Sequence, residues 1–363
     1  MSHSFCRLLS NGYSFGLHRD NSLVVGPCCL FQKKIPVDQD LLTNRKKVFE
    51  IITGWTDDCG HCYHLEQANQ QSLRQTGPDW IPDRVPSQSA IMVDINLDKE
   101  CNAACVMCNE KSSTLWMKEK NKFQGIKLKL EKSTDLVNDH IERIVSLVPL
   151  DQMTYLKFVG GEPLFTDTHL KVLSQLPNPQ NITVHYTTNG SIFPSQEVLD
   201  IWARFKTIIF AASIDGIDQQ FNYIRWPLSW QKVSNNLIRL KQHGLHNLMF
   251  RVEFTANILN VFYYDLLEQW VKKNWRDNIF GDITEINVHP AAESAFNLND
   301  MPLALRHKIQ EKYPADHRLH LMVKNLNTKP DTTKFQQFVS QWDPHRELYW
   351  HDCFPDLTPY FNK

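Results

Sequence analysis

The sequence lacks several features that would place it in a common class. No apolar run approaches the ~18 residues that a membrane-spanning helix requires. The N-terminal segment has no apolar stretch followed by a small-residue cleavage site, so no secretory signal is expected. Basic and acidic residues nearly cancel, 39 against 40, and no net charge draws the chain to nucleic acid or to a membrane. These absences predict a cytoplasmic protein that binds neither a membrane nor nucleic acid.

The nine cysteines are the most informative residues. In a chain without a secretory signal they indicate metal or redox chemistry rather than a disulfide framework. Cys101, Cys105 and Cys108 follow the spacing C-x3-C-x2-C directly after a strand-like run, with no histidine or fourth cysteine within reach. Structural zinc needs four ligands, whereas a four-iron cluster on three thiolates keeps one iron open for a small molecule. On spacing alone, buried structural thiols are the alternative.

The chain from residue 89 onward predicts an α/β fold. Six strand-like runs alternate with amphipathic helical patterns, which implies a parallel sheet with right-handed crossovers. The predicted strands are Ala90–Asn96, Thr154–Val159, Ile182–Thr187, Thr207–Ile214, Leu248–Ala256 and Glu285–Val288. Eight such strands would close a barrel, so six predict a partial (β/α)6 barrel of the TIM type.

Three regions are predicted along the chain. Residues 1–88 form a small cysteine-rich module with a linker, residues 89–296 form the partial barrel, and residues 297–363 form a helical C-terminal extension. The linker is marked by Pro78, Pro82 and Pro86.

A second group of cysteines lies in the N-terminal region. Cys59 and Cys62 form a C-x2-C knuckle, and Cys6 with either Cys28 or Cys29 would complete a set of four thiolates. Zinc and a second iron–sulfur cluster both accept such a set. Adjacent cysteines rarely serve one metal, so one of the pair is a spare; Cys28 is taken as the fourth ligand, with Cys29 as the alternative.

Polar and glycine-rich stretches follow the second, third and fourth predicted strands, where parallel α/β proteins gather their chemistry. They are the glycine loop (Gly160, Gly161, Glu162, Pro163), Thr187–Gly190 and Ser213–Gly216. Paired glycines let a backbone approach a ligand closely. Ser213 and Asp215, two apart on a strand, would share a face and suit ribose hydroxyls, and Arg225 would suit a carboxylate. Each stretch alone could be an ordinary turn, and Arg225 alone a surface residue.

Together these motifs resemble the radical SAM superfamily, and more narrowly its twitch domain-containing members. The resemblance covers nearly the whole chain, although Met107 replaces a frequent aromatic residue. It rests on PCC, C-x2-C-Y-x2-E with S-x-R (Cys59, Cys62, Tyr63, Glu66, Ser72, Arg74), CN-x2-C-x2-C with Ser112 and Ser113, GGEPL, TNG, SIDG, YIR and W-x5-NL (Trp230, Asn236, Leu237).

The resemblance implies cofactors and their ligands. A [4Fe–4S] cluster on Cys101, Cys105 and Cys108 would bind S-adenosylmethionine (SAM) and cleave it reductively to a 5′-deoxyadenosyl radical for hydrogen abstraction. The implied SAM contacts are Gly160, Gly161, Glu162, Pro163, Asn189, Ser213, Asp215 and Arg225. An auxiliary [4Fe–4S] cluster is implied on Cys6, Cys28, Cys59 and Cys62. Flavodoxin or ferredoxin is the expected reductant.

The substrate stays open. Modification of a peptide or protein is the first hypothesis, because the twitch-like module accompanies it in relatives. Modification of a small molecule such as a sugar, by dehydrogenation or otherwise, is the alternative, and a non-catalytic zinc scaffold is a third class. RNA is disfavoured because the chain lacks overall basicity.

Four further residues are candidates outside these motifs. Cys353 is a candidate hydrogen donor, with an inert buried thiol as its alternative. Asn257, Asn260 and His289 fall at the last strand ends as candidate substrate contacts, with loop capping as their alternative.

Overall fold

The strands of the described residues join in one sheet. The computed structural model describes residues 6–18, 21–67, 72–76, 91–125, 134–275, 286–291, 294–326 and 328–361. Within these ranges the strand order is β3-β2-β1-β4-β5-β6-β7-β8-β9. The strands are β1 (Gly12–Leu17), β2 (Leu23–Gly26), β3 (Ile35–Pro36), β4 (Ile91–Asn96), β5 (Met153–Phe158), β6 (Thr183–Thr188), β7 (Thr207–Ser213), β8 (Leu248–Ala256) and β9 (Ile286–Pro290).

The six strands from β4 to β9 are all parallel. Helices in the crossovers cover one face of the sheet, so strands such as β7 are almost continuously buried. The predicted α/β class is confirmed, and the mainly parallel sheet is consistent with a partial barrel. Most strand bounds differ from the predictions by one or two residues, and the predicted starts at Ala90 and Glu285 lie outside the described residues.

The N-terminal region extends the same sheet. Strand β1 pairs with β4 in parallel, from Gly12 opposite Met92 to Gly16 opposite Asn96. Strands β2 and β3 then add antiparallel pairs. A strand of two residues such as β3 has no alternation that a sequence pattern could reveal. The three-region division stays a prediction, and its linker prolines lie outside the described residues.

The helices fall in three groups along the chain. The first are α1 (Arg7–Asn11), α2 (Leu41–Arg45) with a π-helical turn at Lys46–Glu50, α3 (Gly60–Gln67) and α4 (Leu73–Thr76). Those among the parallel strands are α5 (Thr114–Gln124), α6 (Thr134–Leu147), α7 (Thr168–Leu173), α8 (Gln196–Trp202), α9 (Asp218–Ile224), α10 (Trp230–His243) and α11 (Tyr264–Trp275). The last are α12 (Leu303–Lys312), α13 (Arg318–Lys324), α14 (Thr333–Arg346), α15 (Trp350–Cys353) and α16 (Thr358–Phe361). None of the described helices has the length and apolarity to cross a membrane.

The sequence pattern predicts a helix over about Thr333–Trp342, and helix α14 extends four residues beyond that end. Pro344 lies in its last turn, where it leaves the carbonyl of Ser340 without the usual helical donor. The helix ends at Glu347, which takes a left-handed backbone conformation with a φ of 51°. The extra turn matters because it carries Arg346 to the cysteines.

The inner face of the sheet, opposite the main core, is partly apolar and partly charged. Tyr155, Ile209 and Ala211 form a small separate cluster there, against which Met92 and Met249 pack. Charged residues continue the same alternation along the strands. They are Asp94 and Lys157, at paired positions of β4 and β5, and Arg251 and Glu253 on β8.

Candidate functional site

The cysteine loop, residues 97–113, begins where β4 ends. Its middle is fastened to the end of α9 by two backbone hydrogen bonds. The Ala104 N–H donates to the Trp226 carbonyl at 2.7 Å, and the Val106 N–H donates to the Ile224 carbonyl at 2.9 Å. The loop therefore has a fixed path across the carboxyl edge of the sheet.

Helix α5 holds the same loop from the other side. Ser113 caps the helix by accepting from the Trp116 N–H, and its own hydroxyl donates to the Ala103 carbonyl at 2.6 Å. The indole Nε1 of Trp116 donates to the Cys105 carbonyl at 2.8 Å. Three consecutive residues of the loop, from 103 to 105, thus have their backbone polar groups held by side chains or by α9.

The three thiols of the loop are held in their neutral form by burial. Burial raises the pKa of Cys101 to about 11 and that of Cys105 to about 12, and it also raises the pKa of Cys108. Each of the other two thiols lies within electrostatic reach of Cys105. A metal bound here would therefore displace protons, as metals do at thiolate sites.

The donor set fits an iron–sulfur cluster. In the described part of the chain, no three Cys, His, Asp or Glu side chains converge closely enough to hold one metal ion. Thiolates that bind different irons of a cluster stand farther apart than the ligands of a single ion. Three neighbouring thiols suit a four-iron cluster with one open iron, whereas structural zinc requires four ligands.

The glycine loop packs directly on the cysteine loop. The Gly161 N–H donates to the Asp98 carbonyl and the Glu162 N–H to the Glu100 carbonyl, both at 2.8 Å. A Cβ on Gly160 would collide with the Asp98 carbonyl, and one on Gly161 with the Glu100 carbonyl. Gly160 also has a φ of 130°, which side-chain-bearing residues rarely adopt. The paired glycines are required here for the contact between two loops.

The Glu162 carboxylate is bonded within the protein. It is fully buried; one oxygen accepts from the Thr188 hydroxyl at 2.6 Å and the Leu164 N–H at 3.1 Å, and the other from the Asn189 N–H at 2.7 Å. Burial raises its pKa, and these hydrogen bonds oppose the shift. Pro163, which is buried, begins the 3-10 turn Pro163–Phe165. A SAM amino group would therefore share Glu162 with three protein donors.

Asn189 ties the third strand end to the cysteine loop. Its amide nitrogen donates to Asn102 Oδ1 at 2.9 Å, and its own Oδ1 accepts from the Ser191 N–H at 2.9 Å. Asn102 in turn donates to the Ser191 hydroxyl at 2.8 Å. Sequence reasoning missed Asn102 and Ser191, although Asn102 stands in the quoted CN-x2-C motif.

Asp215 and Arg225 form a buried ion pair beside Cys105. Asp215 Oδ2 lies 2.5 Å from Arg225 Nη2, and its Oδ1 accepts from the Thr255 N–H at 2.6 Å. Arg225 Nη1 lies 3.7 Å from the Cys105 sulfur. Strand β7 ends at Ser213, so Asp215 lies beyond the strand and not beside Ser213 on it, as the alternation had suggested. A ribose contact to Asp215 would have to compete with Arg225.

The candidates after β8 and β9 differ in accessibility. Asn257 and Asn260 are buried, and the Asn257 N–H donates to Asn260 Oδ1 at 2.8 Å. The Asn257 side-chain nitrogen lies 3.1 Å from the Met107 sulfur in the cysteine loop. His289 is 62% exposed and pairs with Glu253 at 2.9 Å. Both asparagines thus make loop-holding bonds, while His289 stays accessible; substrate contacts by the three remain predictions.

Sequence reasoning missed Arg346 entirely. Its Nη2 donates to the Ala104 carbonyl at 3.0 Å, across a sequence separation of 242 residues. The guanidinium carbon lies 4.7 Å from the ring centroids of Trp116 and Trp226 and 5.4 Å from that of Trp342. No local pattern relates residues so far apart in sequence.

The N-terminal cysteines share a cavity of their own. Cys6, Cys28, Cys59 and Cys62 line it together with mainly apolar side chains. Cys29 is absent from that lining and instead lies within electrostatic reach of Asp94 on the inner face of the sheet. Cys28 is therefore on the side of the other three cysteines, while the ligand set itself stays a prediction.

The two cysteine groups lie at opposite edges of the sheet. Cys28 follows β2, whose last residue, Gly26, pairs with Ser14 near the start of β1. Because β1 and β4 are parallel, the cavity lies at the amino edge, while the cysteine loop lies at the carboxyl edge. The six residues of β4 at about 3.3 Å each put roughly 20 Å between the two edges.

Cys353, the candidate hydrogen donor, belongs to the hydrophobic core. Burial raises the pKa of its thiol to about 12. Its carbonyl accepts from the Gln220 side chain at 3.1 Å. A role as hydrogen donor stays a prediction for this enclosed thiol.

The family comparison agrees with this geometry. Residues 95–265 match the family model described as the Radical SAM superfamily. That segment contains the cysteine loop, the glycine loop, Asp215 and Arg225. Residues 95–265 therefore form a radical SAM superfamily domain, and this superfamily implies SAM and a [4Fe–4S] cluster.

Three solved structures illustrate what the chain is similar to. "Native anSMEcpe with bound AdoMet" is 14% identical over 69% of this chain and 61% of that one, with a TM-score of 0.41. "Native anSMEcpe with bound AdoMet and Cp18Cys peptide" is 12% identical over 59% and 56%, with a TM-score of 0.39. Streptococcus suis SuiB bound to S-adenosylmethionine is 11% identical over 93% and 71%, with a TM-score of 0.38. The chain spans about three fifths of the length of the first structure and a little more than half of the length of the second. No curated protein matches the chain.

Proposed function

We propose that this protein is a radical SAM enzyme that binds SAM at the carboxyl edge of the sheet and modifies a peptide or protein. One observation carries the SAM site. The cysteine loop, the glycine loop, Asn189 and Arg225 come from separate strand ends, and hydrogen bonds or short polar contacts join all of them. A non-catalytic zinc scaffold would not require three thiols, a guanidinium and a close-packed glycine turn at one edge of the sheet.

The chain's own groups divide the work of holding SAM. A cluster on Cys101, Cys105 and Cys108 would supply the electron that splits the sulfonium of SAM to give a 5′-deoxyadenosyl radical. Arg225 places a positive charge beside Cys105, and its guanidinium suits the SAM carboxylate. We assign the remaining contacts to Gly160, Gly161, Glu162, Pro163, Asn189, Ser213 and Asp215.

We also propose a twitch-like N-terminal module with an auxiliary [4Fe–4S] cluster on Cys6, Cys28, Cys59 and Cys62. The shared cavity of these four thiols supports it. So does the bonding of the motif beside them, where Glu66 accepts from Ser72 at 2.5 Å and from Arg74 Nε at 2.9 Å. Arg74 also lines the cavity, within electrostatic reach of Cys6.

A peptide fits the inner face of the sheet better than an apolar molecule. Asp94, Lys157 and Glu253 place both signs of charge there, and the Glu253–His289 pair lies near the open carboxyl edge. Peptide amides and charged side chains would find partners on such a wall. Free cysteines throughout support a reducing, cytoplasmic setting, where flavodoxin or ferredoxin would supply electrons.

The test is anaerobic reconstitution followed by assay of 5′-deoxyadenosine released from SAM with a reductant. Wild type should release it, and Cys105→Ala should lose the activity by about two orders of magnitude or more, because a ligand thiolate is removed. Ser174→Ala, an exposed position on the far side of α7, is the matched control and should behave as wild type. Release by Cys105→Ala at the wild-type rate would end the proposal.

The substrate class is tested with deuterium. A proteolytic digest of perdeuterated cell protein should pass deuterium into 5′-deoxyadenosine, because the radical takes its hydrogen from the substrate. A perdeuterated sugar mixture should not. Transfer from the sugars alone would overturn the peptide assignment while leaving SAM cleavage intact.

A further inference from the structure

Arg346 lies outside the segment that matches the radical SAM family, yet it reaches the centre of the cysteine loop. Its guanidinium donates to the Ala104 carbonyl at 3.0 Å, one residue before Cys105. It lies against the rings of Trp116, Trp226 and Trp342, with centroid distances of 4.7 to 5.4 Å. The C-terminal extension thus supplies a cation that is enclosed by aromatic side chains behind the loop.

Among the described residues, no carboxylate forms an ion pair with Arg346. Two carboxylates, Glu119 and Asp343, lie within its electrostatic reach. Glu119 pairs instead with His345 at 2.9 Å. Asp343 accepts from the Tyr223 hydroxyl and the Trp350 N–H, both at 2.8 Å.

Two further ionisable groups, Tyr223 and Cys105, interact electrostatically with Arg346. Burial raises the pKa of Tyr223 well above its usual value, so this hydroxyl stays neutral. Cys105 is the group of this set that a bound metal would convert to an anion.

We infer that Arg346 is a positioning residue for the cluster site: it fixes the Ala104 carbonyl, and so the direction of Cys105, and its charge stabilises negative charge on the loop. The charge part rests on the proposed cluster, while the positioning part concerns the protein alone. Arg346 complements Arg225, which approaches Cys105 from the side of α9 at 3.7 Å. Two cations from different regions of the chain would then flank one thiolate.

Two substitutions separate geometry from charge. Arg346→Gln removes the charge. Arg346→Lys keeps the charge but loses the planar guanidinium, which both donates to the Ala104 carbonyl and stacks on the aromatic rings. Arg239→Gln is the matched control, because Arg239 also stacks on an aromatic ring, that of Phe193 at 3.8 Å, away from the cysteines. Melting temperatures of all three variants would show which of them are folded.

The first measurement uses metal-free protein. Alkylation rates of Cys101, Cys105 and Cys108 are followed by mass spectrometry. Both Arg346 variants should raise the Cys105 rate about tenfold, the factor expected when one hydrogen bond that holds a closed loop is lost. Wild-type rates in Arg346→Lys would overturn the positioning role, and this variant decides the matter if Arg346→Gln does not fold.

The second measurement uses reconstituted protein and an EPR-monitored redox titration. Reduction adds negative charge, which a nearby cation stabilises, so Arg346→Gln should have a more negative potential than wild type. Arg346→Lys and Arg239→Gln should stay near the wild-type value. Equal potentials in wild type and Arg346→Gln would overturn the charge role. Failure to assemble any cluster in wild type would instead count against the proposed function and would leave the alkylation result standing.

Discussion

Individual residues matter most where the two loops of the candidate site touch. Gly161 lies against the Glu100 carbonyl with no room for a side chain. Gly161→Ala should therefore push the glycine loop away from the cysteine loop. We expect a loss of about 1–3 kcal/mol in the free energy of unfolding and a drop of about a hundredfold in SAM cleavage, because the site is displaced.

Denaturant unfolding and the 5′-deoxyadenosine assay check the Gly161 prediction. Gly54→Ala is the matched control, because nothing lies within 4 Å of the Cβ that it would introduce. This control should leave both measurements unchanged. A Gly161→Ala protein as active as wild type would mean that the contact between the loops is not needed.

The candidate residues of this site were predictable from sequence to the extent that spacing or strand position marks them. Cysteine spacing, the glycine pair and the strand ends pointed to residues that the structure brings together, such as Cys105 and Arg225. Their partners were not predictable in the same way. Glu162 was expected to face a ligand, but three donors from its own chain meet it. Hydrogen bonds between distant residues leave no periodic signal.

At the scale of secondary-structure elements, α9 and α14 act as a pair behind the cysteine loop. Tyr223 on α9 donates its hydroxyl to Asp343 on α14 at 2.8 Å, and both side chains are buried. Tyr223→Phe would leave one carboxylate oxygen of Asp343 without its donor. We expect a destabilisation of about 1–3 kcal/mol, the usual penalty for a buried group that loses its partner.

Chemical denaturation measures the effect of Tyr223→Phe. The exposed Tyr349→Phe serves as the control and should change the unfolding free energy by less than about 0.5 kcal/mol. If both variants were equally stable, the hydrogen bond between Tyr223 and Asp343 would not contribute to the free energy of unfolding.

Long, strongly periodic elements were predictable and short ones were not. The sequence pattern predicts a helix over Trp230–His243, and α10 has these bounds, because Val233, Leu237 and Leu240 recur at helical spacing and Gly244 ends it in a left-handed conformation. Helix α9 was not predicted as a helix. It has only seven residues, and the sequence analysis identified only the Tyr223–Arg225 motif at its end. The end of α14 was not predicted, because Pro344 lies in the last turn of the helix and does not end it there.

For the whole molecule, the two cysteine groups predict two separable iron sites. Anaerobically reconstituted wild type should hold about eight irons per chain, and Cys28→Ser about four. Cys29→Ser should keep about eight, because Cys29 faces away from the cavity of the other N-terminal cysteines. Iron and sulfide analysis with the two adjacent serine variants provides the comparison. A reversed result would move the fourth ligand to Cys29.

The pairing of β1 with β4 also has a consequence for how the chain can be divided. A fragment without the N-terminal region would bare the backbone of β4 along its first edge, from Met92 to Asn96. Unpaired strand edges recruit other chains and lead to aggregation. The cysteine-rich region therefore cannot be removed without consequence. Its removal would turn β4 from an interior strand into an exposed edge strand that is prone to aggregation.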